Sequence, residues 1–137
     1  MFTVKEYIHM IKDENQQSCL KMWEYFQTSC SKAKGSSHNH QNWEGGYFDH
    51  IQEIMDFAYK LYFSISQDRE LPFTLSDAML ILFLHDIEKP IKYGTNINFS
   101  NASNSQIRKM LMDEYGIKLN DYQLNGLNYI HGEGSEY

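Results

Sequence analysis

Along most of this chain apolar residues return every three or four positions, the spacing that lays one stripe along an α-helix. Residues 3–33 contain neither Gly nor Pro, and Tyr7, Ile8, Ile11, Leu20, Trp23, Phe26 and Cys30 follow that spacing. A long amphipathic helix, continuous or broken once, is predicted there, with a bend or solvated turn at the wholly polar stretch Asp13 to Ser18. Gly35-Ser36-Ser37 ends it and opens a loop that carries His38 and His40. After Gly45-Gly46 a second helix is predicted over Tyr47–Ser66, with His50, Ile54, Phe57 and Leu61 on one stripe.

Leu71-Pro72 separates this helix from the next. Thr74, with Asp77 three residues on, gives an N-cap signal for a strongly apolar helix over Leu75–Ile87 that Pro90 helps to stop. Residues 91–102 are polar and rich in Asn, and read as a loop. Ser103 caps a helix through Tyr115 that ends at Gly116, and Asn120 with Gln123 opens a last helix to His131, stopped by Gly132. About five helices result, with no alternating strand pattern, internal repeat or low-complexity tract. The expected fold is all-α: a compact bundle forming one domain over 1–137. In it the long first helix (about 3–33) precedes the motif-bearing core at about 38–135.

Composition adds little to the fold but narrows the function. At 137 residues, 42% of them hydrophobic and 22% charged, the chain suits one globular domain with a core of its own. Lys5, Glu6 and His9 interrupt the first ten residues, so no signal-like apolar run is expected, and Ala78–Leu84 is far too short to span a membrane. Cys19 and Cys30, outside any CxxC, read as reduced cytoplasmic thiols. The net charge of −6 argues against an extended nucleic-acid surface. A small phosphoanion remains compatible with such a protein if a bound cation supplies local positive charge.

The strongest chemical signal is Leu84-His85-Asp86-Ile87-Glu88-Lys89-Pro90. A His followed by an Asp at the end of an apolar helix is costly to bury unless both are satisfied. Adjacent helical positions diverge by roughly 100°, so the pair can face one ion only where the helix frays. The plainer alternative is a His at the negative end of the helix dipole beside an exposed Asp. His50 shifts the balance, because it is expected to point inward from a neighbouring helix. Histidines and a carboxylate from facing helices are how bundle cores build metal sites.

With these residues in view, the chain resembles the HD-domain superfamily of metal-dependent phosphohydrolases over about 38–135. The segment from His40 through Gly45-Gly46 to Asp49-His50 is most similar to the branch containing 3′-to-5′ exoribonucleases. The resemblance implies His50, His85 and Asp86 as ligands of a divalent ion (Mn, Fe, Zn, Ni, Co or Mg). It implies Lys89 facing the substrate phosphate, and His40 contacting phosphate or protonating a leaving oxygen. It places His131 at a second metal or at the phosphate, with Glu133 in the His-Gly-Glu run beside the substrate. A solvated charge or helix cap remains the alternative for Lys89, and an exposed loop residue for His40.

Two departures from the family pattern stand out. A late Asp ligand is missing: either the chain is shortened relative to the family, or Glu133, Glu136 or Asp121 substitutes. The further His that the exoribonuclease branch carries between the His-Asp pair and the later His is also missing, which favours a single ion. The function implied is hydrolysis of a phosphoester, a nucleotide or short oligonucleotide, by metal-activated water. The alternatives are a degenerate HD-fold module that binds nucleotide or metal, and a structural protein that self-associates through Trp23, Tyr25 and Phe26 of the first helix. His38-Asn39-His40 with Cys19 or Cys30 is a weaker zinc motif.

Overall fold

The computed structural model describes residues 1–35, 43–95 and 102–130, and among these every regular element is a helix. His38, His40, His131, Glu133 and Glu136 lie outside the described residues, as does most of the Asn-rich stretch. The all-α expectation holds. No helix among the described residues is long and apolar enough to cross a membrane.

The N-terminal third forms two helices, so the expected long helix is broken once. In α1 (Val4–Ile8) Thr3 and Glu6 form a reciprocal cap, and α2 spans Asn15–Ser29. The break falls at 9–14, just ahead of the middle of the polar stretch. There the Gln16 side chain donates to the carbonyls of His9 and Ile11 and takes up groups that a broken helix leaves unpaired. Tyr7, Ile8, Ile11, Met22 and Phe26 are fully buried, so these helices contribute to the hydrophobic core. Trp23 and Phe26, expected as self-association anchors, are also inside. Trp23 packs on Phe48 and Phe83, and Phe26 lies edge-on to Tyr47.

Helix α3 (Gly46–Ser66) starts where Gly45 adopts φ 79°, a left-handed turn that suits a residue without Cβ. The backbone N–H of Tyr47 donates to the Ala33 carbonyl at 3.0 Å, tying this start to the end of the N-terminal segment. Its buried face is Tyr47, Ile51 and Met55, rather than the expected stripe. Phe57 and Leu61 are exposed, and His50 sits at the margin between the two faces.

Helix α4 (Leu75–Leu84) opens with the expected Thr74–Asp77 cap. It ends earlier than expected, at Leu84, and after a turn at 85–87 the chain re-enters a helix, α5 (Glu88–Gly94). Pro90 was expected to stop a helix. It lies in the first turn of α5, where its missing N–H has no intrahelical acceptor to lose. Residues 91–94 are therefore helical, not loop. Helix α6 (Asn104–Glu114) is capped by Ser103. Asn120 and Gln123 exchange hydrogen bonds at the start of α7 (Asp121–Ile130).

Contacts between α4 and α7 fix their relative direction. Gln123 donates to Asp77 near the start of α4, and Gly126 lies against Ile81 further along. The two helices therefore run parallel, and Ile130 lies toward the end of α4 that leads into His85. Asp121 lies by the start of α4, a whole helix length from His85. Among the described residues it is not one of the ligand-type side chains that converge with His85 and Asp86.

Candidate metal centre

His85 and Asp86 come together in the turn at 85–87 between α4 and α5, with His85 itself still in right-handed helical dihedrals. His85 closes the last turn as C-cap, with its N–H donating to the Ile81 carbonyl, and Asp86 belongs to the turn that follows. From across the interface, α3 presents His50 one turn beyond buried Tyr47. The Nε2 atoms of His50 and His85 lie 3.3 and 3.0 Å from the same carboxylate oxygen, Asp86 Oδ2. One ligand atom from each of the three residues falls within 4.8 Å of the others. All three side chains are largely covered, His85 most of all.

His85 Nδ1 is hydrogen-bonded to the Leu82 carbonyl. A carbonyl only accepts, so Nδ1 carries the proton and Nε2 is the nitrogen turned toward Asp86. Two ways of making that arrangement favourable exist: a second proton on the ring, or a cation between nitrogen and carboxylate. Fixing one imidazole nitrogen on a carbonyl so that the other can ligate is the usual device of metal-binding histidines. Metal–ligand bonds of about 2.1 Å in a tetrahedral site put neighbouring ligand atoms about 3.4 Å apart. The two separations from Asp86 Oδ2 are close to that, so the donor set is compatible with a divalent ion. The C-terminal end of α4 also favours positive charge.

The electrostatics of the metal-free cluster reflect the same crowding. Burial alone would pull the His85 pKa down, but its hydrogen bond to Asp86 and the charge of that carboxylate reverse this and raise it above 6.5. Burial alone would raise Asp86. The hydrogen bonds from His50 and His85 outweigh it and hold the carboxyl far below its ordinary range.

Lys89 follows Asp86 by three residues, and its backbone N–H donates to the Asp86 carbonyl at 3.0 Å. Its side chain is half-buried beside the Tyr93 ring, and its charge acts on Asp86. Cys19 and Cys30 are fully buried in the core, while His38 and His40 of the zinc motif lie outside the described residues.

Sequence reasoning passed over two features next to this cluster. Glu88 and Arg108 form a buried ion pair at 3.3 Å between α5 and α6. The signal was a charged residue on the same face of α6 as Ile107 and Leu111. The other is the hydroxyl of Tyr47, which is buried and has no hydrogen-bond partner among the described residues. Tyr47 belongs to the i, i+4, i+8 stripe with Ile51 and Met55, which would have marked its ring as core.

Comparison of the chain with family models, with curated proteins and with solved structures finds no match.

Proposed function

We propose that this chain is a metal-dependent phosphohydrolase of the HD-domain kind, holding one divalent ion through His50, His85 and Asp86. The observation that carries this reading is the convergence of two imidazole nitrogens on one carboxylate oxygen. Its substrate class is a small phosphoester, a nucleotide or short oligonucleotide. An ion held by His50, His85 and Asp86 would lower the pKa of a water bound to it and would polarise a phosphoryl oxygen.

The chain's own residues do the rest. His85 is oriented by Leu82, Asp86 offsets the charge of the ion, and Lys89 stands three residues on as a compact cation for phosphoryl oxygens. Such an arrangement gives a protein of net charge −6 a local site for an anion. Two free, buried cysteines agree with a reducing cytoplasmic setting.

The test is turnover of a panel of nucleotides and generic phosphodiesters by the full chain with added manganese. We expect hydrolysis that chelation abolishes and that Asp86→Asn lacks. Metal binding without turnover of any panel member would contradict hydrolysis and point to a binding module on the same scaffold.

A further inference from the structure

Tyr47 lies in the first turn of α3, three residues before His50, and its ring is wholly enclosed. Phe26 and Phe48 meet it edge-on, with ring centroids 6.1 and 5.3 Å away. Its backbone is pinned by the 3.0 Å hydrogen bond to Ala33. The hydroxyl therefore has a fixed position in the core, yet it meets no protein partner among the described residues. Leaving such a group unpaired costs about 1–3 kcal/mol, and a phenylalanine would fill the same space without that cost.

The surroundings indicate what the hydroxyl serves. Burial pushes the Tyr47 phenol well above its ordinary value, and the carboxylates of Asp86 and then Glu88 add to the effect. The phenol therefore keeps its proton at neutral pH and can donate it in a hydrogen bond, and it belongs to the turn of α3 just before His50, whose Nε2 lies 3.3 Å from Asp86 Oδ2. Buried polar groups that lack a direct protein partner are commonly joined by an internal water.

We propose that the Tyr47 hydroxyl is a positioning group for the metal centre, donating through a bound water to the Asp86 carboxylate so that Oδ2 stays turned toward His50 and His85. This inference rests on the metal site proposed above and adds a residue to its support. Groups that orient metal ligands typically change metal affinity about 10- to 100-fold when removed. Tyr47 would act through Asp86 and touch neither ion nor substrate.

The test is a manganese titration of the wild-type chain, Tyr47→Phe and Tyr7→Phe, with melting curves of each metal-free protein. Tyr7→Phe is the matched control, because it removes the hydroxyl of another buried tyrosine, one that donates to Asp56 at 2.6 Å away from the site. We expect Tyr47→Phe to bind manganese at least about tenfold more weakly and to melt lower without metal, whereas Tyr7→Phe melts lower and binds normally. Unchanged affinity in Tyr47→Phe, or an equal loss in both variants, would overturn the proposal while leaving the metal site standing. A wild-type chain that binds no manganese would overturn the site and this inference together.

Discussion

His85 has one nitrogen to offer because the Leu82 carbonyl has taken the other. That constraint makes the contact with Asp86 informative, since a neutral imidazole lone pair and a carboxylate oxygen repel at 3.0 Å. At this scale the sequence was most legible where residues are adjacent. His85 and Asp86 announce themselves as a polar pair closing an apolar helix, and His50 was picked out as their partner across the interface. Tyr47 and the Glu88–Arg108 pair were not legible, because burial of a single polar atom depends on neighbours distant in the chain. Lys89 is the residue whose role separates chemistry from binding. Its charge lies near Asp86 without being one of the three converging ligands. We therefore expect Lys89→Ala to retain stoichiometric metal while kcat falls about 100-fold or more, the typical effect of losing one charge contact to a transition state. An unchanged rate would place Lys89 outside the chemistry.

Helices were read well at their starts and less well at their ends. The caps at Thr74, Ser103 and Asn120 appear as expected, because side chain and backbone there are neighbours in sequence. The break after Leu84 was obscured by Pro90, which reads as a stop signal yet is tolerated in a first turn. That misreading hid α5, the element that carries Lys89 and the buried Glu88. The α3 stripe was misassigned for a similar reason: apolar residues occupy two adjoining faces, and periodicity alone does not say which face the bundle covers.

Packing of α5 depends on a close approach to the N-terminal region. A Cβ added at Gly94 would lie 2.8 Å from the Cys30 Cβ and 2.9 Å from the Cys30 carbonyl oxygen. The second of these is backbone and cannot swing away. Gly94→Ala should therefore destabilise the fold by about 1–3 kcal/mol, the usual cost of overpacking. A denaturant melt checks this, and a variant as stable as the wild type would show that α5 does not pack as described.

The molecule as a whole is acidic, and its one convergent group of ligand-type side chains among the described residues sits where α3 faces the α4–α5 turn. Protons and metal compete for that group. In the metal-free chain His85 has a raised pKa, so its charged form stabilises the fold below the unfolded value of 6.5, and that contribution is lost as pH rises through the folded value. A metal acts in the opposite sense, because it needs the nitrogen lone pair and must displace the proton. The most direct measurement is a calorimetric manganese titration of the wild-type chain and His85→Ala at about pH 7.5 and about pH 5.5. The account predicts one ion per wild-type chain at the higher pH, markedly weaker binding at the lower pH, and none in His85→Ala. Binding that persists in His85→Ala, or that is the same at both pH values, would contradict it.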